Sequence, residues 1–249
     1  MENQPSTDGE KGWSQILTLA LNLPFVKVDR TTFLRNELSR YCSNEEIHIA
    51  IEKSPLKVLS KKQIDKIANG CIKYHTTLVC AASAAAGLPG GFAMAATIPA
   101  DIVQYYGHVL TLIQKLLYLY GYPEISNEKG EIDDETANIF TIFMGVMLGC
   151  KVANDAAKEL AKAVAKGVSK NILNMAVKKS ATFQLMKQIG KWIGVNLTKK
   201  TASNWAGKFI PLIGAPISGA ITYFSFNPMA ELLKKHLDEQ YEILASSNL

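Results

Sequence analysis

The chain has 249 residues, 48% of them apolar and 20% charged, enough for one large domain or two small ones with a sizeable core, and a poor composition for intrinsic disorder. The net charge is +5, but residues 151–208 hold twelve Lys against two acids, so that stretch carries +10 and the remainder sums to −5. This balance disfavours a strongly basic nucleic-acid binder, and the mean hydropathy of +0.06 is high for a soluble domain and low for a polytopic membrane protein.

Cys42, Cys71, Cys80 and Cys150 form no CxxC pair, which disfavours a disulfide scaffold and suits a reducing compartment. The opening MENQPSTDGEKG has no basic stretch followed by an apolar run, so no cleaved secretory signal is expected. Residues 1–28 read as a polar, flexible tail and 29–249 as a single helical domain.

Within that domain, Asp29 is placed to cap a helix with Phe33, Leu34, Leu38 and Tyr41 on one face. Ser43 with Glu46, and Ser60 with Gln63, have the spacing of capping boxes. Residues 29–77 are therefore expected as short amphipathic helices whose role is packing. From Leu78 to Ala100 the chain carries no charge, but Gly87-Leu88-Pro89-Gly90-Gly91 and Pro99 interrupt it. The expectation is a broken apolar hairpin, each half too short to cross a bilayer.

Residues 98–122 are apolar almost all round. Asp101, Gln104, His108, Thr111 and Lys115 recur at spacings of three and four, one narrow polar seam on a helix, with Gln114 the stray. The seam faces water in a soluble bundle, or other helices and a water-filled path in a membrane-inserted one. Asp133, Asp134 and Glu135 then open a further helix. Gly145 and Gly149 form a GxxxG pair, a candidate close-packing face.

In 151–208, Lys158, Lys162, Lys166 and Lys170 recur every four residues beside an apolar stripe, and Lys187 and Lys191 stand against a second stripe that includes Trp192. Such helices are ordinarily solvated faces over a core. The sharper reading is docking on an anionic leaflet, where each Lys contributes about 1 kcal/mol. Nucleic acid is disfavoured as partner, since no recognition helix or aromatic single-strand platform accompanies the Lys. The last apolar run, Phe209–Ala230, is again free of charge and punctuated by Pro211, Gly214, Pro216, Gly219 and Pro228, which predicts a second broken hairpin. Ala215 and Gly219 are a small-xxx-small packing pair, and a charged amphipathic helix from Glu231 closes the chain.

Catalytic signatures are absent from the sequence: no phosphate loop, dinucleotide fingerprint, HExxH or nucleophile elbow occurs. Asp101 with His108 is the best acid–base candidate, and it is weak. No metal ligand set and no cofactor are expected.

Two segments resemble the EcsC family of bacterial proteins. GLPGGFAMAATIPADIVQYYGHVLTLIQKLLYLYGY matches its small-residue turn, Pro-Ala-Asp helix start (Pro99, Ala100, Asp101) and Tyr-Gly-aromatic end. KFIPLIGAPISGAITYF matches its second hallmark through Lys208, Pro211, Gly214 and Ala215. The resemblance covers residues 30–240 and implies a membrane-associated protein without a defined chemistry.

The sequence thus points to an all-α, multi-helix bundle with two Pro/Gly-broken apolar hairpins and Lys-rich amphipathic helices. The leading function is non-catalytic association with the cytoplasmic face of a bacterial membrane, with anionic lipid as partner. The alternatives are a homo-oligomeric, membrane-permeabilising or channel-like effector and a soluble module that binds an anionic ligand or acidic protein through its Lys.

Overall fold

A computed structural model describes residues 6–86, 100–125, 134–167, 188 and 214–246, and among these the chain is all-α, with no strand. The helices are α1 (Ser6–Leu21), α2 (Arg30–Leu38), α3 (Asn44–Glu52), a 3-10 turn (Pro55–Lys57), α4 (Lys61–Ala86), α5 (Ala100–Leu119), α6 (Asp134–Met147), α7 (Lys151–Ala165), α8 (Gly214–Glu239) and α9 (Tyr241–Ala245).

The local start signals operate as the spacing predicts. Asp29 Oδ1 accepts the Thr32 amide at 2.7 Å. Ser43 and Glu46 close both halves of a capping box, and Gln63 Oε1 accepts the Ser60 amide at 2.8 Å. These bonds satisfy amides that the first helical turn otherwise leaves unpaired.

α5 is the central helix. Leu110, Leu112, Ile113, Leu116, Leu117 and Leu119 are buried around its circumference, which follows from a sequence apolar on all sides. α4 and α1 pack on it, and α8 packs on α4, α5 and α6, while α6, α7 and α9 form the remaining side. The α5 C-terminus stops at Gly121 (φ +87°), with the Tyr122 amide bonded to Leu117 O and the Gly121 amide to Tyr118 O. This closure serves carbonyls that the last turn leaves free. Arg30 fastens the region. It is buried, with Nε donating to Tyr122 O at 3.0 Å and Nη1 to Ile51 O at 2.7 Å. Its own amide donates to Glu124, which also accepts from the Tyr118 hydroxyl.

The structure departs from the sequence expectations at four places. Residues 1–28 are not simply a tail: Ser6–Leu21 is helical, and Trp13, Leu17, Ala20 and Leu21 are buried at helical spacing. Trp13 Nε1 donates to Thr141 Oγ1 at 3.1 Å and the ring meets Tyr106 edge-on. Leu78 marks no boundary, since α4 runs unbroken from Lys61 to Ala86.

Gly149 lies beyond α6 at φ +77°, with Cys150 N bonded to Gly145 O and Gly149 N to Val146 O. The Gly145–Gly149 pair therefore terminates a helix instead of forming a packing face, because only the left-handed conformation brings both amides back onto the last turn. Lastly, Pro216 and Pro228 do not break the second apolar run, which continues into the final charged helix as α8. Pro216 falls in the first turn, where no amide is needed. Pro228 frees only the carbonyl of Phe224, and both residues lie on the exposed face, where water can serve it. The turns expected at 87–99 and 209–213 lie outside the described residues.

Candidate functional site

α4, α5 and α8 form a sheaf whose alignment is fixed by contacts along its length. At one end Lys61 Nζ pairs with Asp238 at 2.9 Å and Lys234 Nζ with Asp65 at 3.0 Å and Asp238 at 2.8 Å. Tyr120 donates its hydroxyl to the same Asp238 at 2.5 Å. The Lys234 bond holds the Asp238 carboxyl below its usual range although burial opposes this, and Lys234 is pushed up by its bonds to Asp238 and Asp65 against its own burial. Towards the other end, Tyr105 reaches Ser225 and Met229 of α8. A Cβ at Gly219 would lie 3.5 Å from Cys80 O and 3.8 Å from Ala84 Cβ. Gly219 thus sits where α8 approaches α4 closely, an intramolecular form of the small-residue contact read from the sequence.

Charge is distributed unevenly along this sheaf. Tyr74–Ala86 of α4 and Gly214–Ala230 of α8 contain no Asp, Glu, Lys or Arg, and Ala100–Gln114 of α5 contains only Asp101. At 1.5 Å per residue the uncharged part of α8 is about 25 Å long. On it Tyr223 is 48% and Phe224 74% exposed, with the rings edge to face. Scattered apolar residues on a surface need no account. A neighbouring exposed pair of large aromatics on a pole with Asp101 as the one charge of its three helices does, since its exposure gains nothing for the isolated chain.

The polar seam of α5 is divided. Gln104 is exposed, whereas His108 and Thr111 are buried and Lys115 is half-buried. Thr111 donates to Gly107 O at 2.9 Å and lies 3.4 Å from Phe25 O. Gln114, the stray of the pattern, grips the 22–29 connection: Nε2 donates to Val26 O and Oε1 accepts the Val28 amide. Lys115 Nζ lies 5.3 Å from the Tyr74 ring centroid and 6.0 Å from that of Phe33. Much of the seam thus holds the chain between α1 and α2. Asp101 lies in the first turn of α5, with its side chain outside the described residues, so its pairing with His108 stays untested.

His108 instead faces His75 of α4. The two Nδ1 atoms are 3.4 Å apart, with 2% and 8% of the residues exposed. Phe25 stacks on His108 at 4.7 Å and Tyr74 meets His75 edge-on. Burial, then the charge of Lys115, then His108 push His75 down to about 3, and burial and Lys115 lower His108. Sequence reading passed over His75 because one His on an apolar helix face is mute until its partner helix is known. Arg30, Tyr223 and Phe224 were missed as well. The sequence signal for the aromatic pair was two adjacent rings in a charge-free run.

On α7 and at its end, Lys158, Lys162 and Lys166 are exposed, with Lys162 paired to Glu159 at 2.7 Å. Asp155 and Glu159 share that surface and dilute its charge. Lys170, Lys187 and Lys191 lie outside the described residues, and so do Pro99, Lys208 and Pro211. The side chain of Ala215 is likewise undescribed. Among the described residues no group of three or more His, Cys, Asp or Glu is arranged to hold a metal ion, and no helix is long and apolar enough to cross a membrane. No family model, curated protein or solved structure matches this chain. The likeness to the EcsC family therefore rests on the two sequence motifs.

Proposed function

We propose that this is a non-catalytic, EcsC-like protein that associates with the cytoplasmic face of a bacterial membrane, dipping into one leaflet the end of the α4–α5–α8 sheaf at which Asp101 is the one charge on the three helices. The observation that carries this reading is the exposed Tyr223–Phe224 pair on the uncharged stretch of α8, beside the uncharged stretch of α4. Half of the hydrocarbon core is about 15 Å deep, less than the uncharged length of α8, so one leaflet accommodates the pole without any helix crossing. Tyr and Phe suit that depth, where one end of the ring is wet and the other apolar. Lys158 of α7 acts on His236 at the charged end of α8, away from the pole, so attraction to anionic headgroups is assigned to Lys170, Lys187 and Lys191 of the same Lys-rich stretch.

The test is flotation on vesicles of phosphatidylcholine and phosphatidylglycerol (70:30) at low and high salt. Fully burying a large apolar side chain contributes about 1.5–3 kcal/mol, so Phe224→Ser should weaken partitioning about tenfold. Because Phe224 is mostly exposed, the folded core is untouched by the change. Salt-reversible flotation indifferent to Phe224→Ser would point to docking by Lys alone. Dye release from loaded vesicles would favour the permeabilising alternative. No flotation at either salt would overturn the membrane reading in favour of a soluble module for an anionic ligand.

A further inference from the structure

His75 and His108 sit at the base of that pole, where α4 meets α5, and no step of the reading above uses them. The Nδ1 atoms of the neutral pair are 3.4 Å apart, a spacing that suits one Nδ1–H facing one unprotonated Nδ1. His75 Nε2 and the neighbouring Thr76 Oγ1 are buried with no hydrogen-bond partner among the described residues. A proton arriving at His75 therefore creates a buried cation that no acceptor among the described residues meets at Nε2. A second proton turns both Nδ1 atoms into donors facing each other, which their spacing does not allow.

The charged surroundings offer no compensation. α5 contributes Lys115, whose charge acts on both rings. α4 contributes Tyr74 and Cys71, the thiol of Cys71 being pushed up to about 12 mainly by burial. From α2, Glu37 reaches Cys71, one turn away from His75. The 22–29 connection presents the uncharged ring of Phe25. α8 carries no charge between Gly214 and Ala230, and α1 none from Trp13 to Leu21.

We infer that the His75–His108 contact is an acid-released latch: protonation parts α5 and the 22–29 connection from the α4–α8 pair and delivers their apolar inner faces to lipid. This inference rests on the membrane reading and names its regulation. An anionic leaflet concentrates protons at its surface roughly threefold, so arrival at the membrane itself favours release. The opened state holds ordinary histidines near 6.5 and the closed state holds none that bind a proton readily. The opening equilibrium therefore shifts about 30-fold between neutral pH and pH 5.0 for one such site.

The experiment follows the full chain from pH 7.5 to 5.0 by the ring resonances of its histidines and by binding of an apolar fluorescent dye without lipid. Flotation on the same 70:30 vesicles runs in parallel. Wild type should gain dye binding and flotation together. His75→Asn and His108→Asn keep a polar group near Nδ1 that does not titrate, and each should lose most of that gain. Two variants guard against either one failing to fold, and the neutral-pH spectrum reports folding directly. Equal acid midpoints and amplitudes in wild type and both variants would overturn the latch, and so would wild type that stays closed at pH 5.0. Dye binding that rises with acid while flotation stays absent supports the latch and overturns the membrane reading. Flotation that depends on Phe224 yet ignores pH does the reverse.

Discussion

Replacing His75 by Asn should change how the stability of the fold depends on pH. In the folded chain burial and Lys115 push His75 down to about 3, while in the unfolded chain a histidine titrates near 6.5. The unfolded state therefore binds more protons across the interval between those values. Stability contributed by neutral His75 is complete above 6.5 and is lost progressively as the pH falls towards 3. Integrating that difference for a single site from pH 7.5 to pH 5.0 gives a loss of about 2 kcal/mol. His108 and His236, both lowered by burial, add to the wild-type loss in the same direction. The lowered carboxyls of Asp29 and Asp238 act only below their ordinary value of 3.8, outside this window. Urea unfolding of wild type and His75→Asn at the two pH values isolates the histidine pair, since the difference of differences cancels the distant groups and leaves His75 with any change it imposes on His108. A wild-type excess loss near 2 kcal/mol is the expected result. An excess below about 0.5 kcal/mol would refute the reasoning, because a buried imidazole that faces another imidazole and feels the charge of Lys115 must carry this dependence.

Two further outcomes test the frame that holds the site. Arg30→Met should cost about 3 kcal/mol in urea unfolding, because it strips charged donors from the buried bond to Tyr122 O at the α5 closure and from the part-buried bond to Ile51 O of α3. A cost below about 1 kcal/mol would mean that those carbonyls find water. Gly121→Ala should lower the melting temperature through two separate effects, a left-handed backbone costing about 1–2 kcal/mol and a Cβ only 2.5 Å from Ser54 Oγ. Measured against Ser54→Ala alone, which loses the cap that Ser54 Oγ gives the Leu56 amide, the added Gly121→Ala should cost only the backbone part, and no cost at all would refute the backbone contribution.

What the sequence discloses about this fold is whatever a short segment decides by itself. Asp29, Ser43 with Glu46, and Ser60 with Gln63 form their caps because donor and acceptor lie three residues apart, before any tertiary contact is needed. The nearly unbroken apolar surface of α5 announces a central helix for the same reason. Partners distant along the chain were opaque. His75 gains meaning only from His108, thirty-three residues on, and Gln114 stands outside the seam pattern yet holds the 22–29 connection by two bonds. The prolines misled in an instructive way. Pro228 breaks a helix in isolation, but Phe226, Met229, Ala230, Leu233 and Leu237 bury one continuous face across it, and that burial outweighs one lost bond. Gly149 erred the other way, since GxxxG spacing is shared by packing faces and by helix ends. The exposure of Tyr223 and Phe224 could not be read from an apolar run whose default is burial.

Pro228 also has a mechanical meaning. α8 changes chemistry at Ala230 and Glu231, uncharged before and charged after, and the missing rung of its hydrogen-bond ladder lies within one turn of that border. The charged part is anchored by Lys234 and Asp238 to α4 and by the Tyr120 hydroxyl to α5. A helix short of one rung bends there at lower cost than elsewhere along its length. α8 is therefore most compliant at the border between its anchored and its uncharged part, and the contacts of Gly219 with Cys80 and of Ser225 with Tyr105, more than its own hydrogen-bond ladder, keep the uncharged part in line with the sheaf.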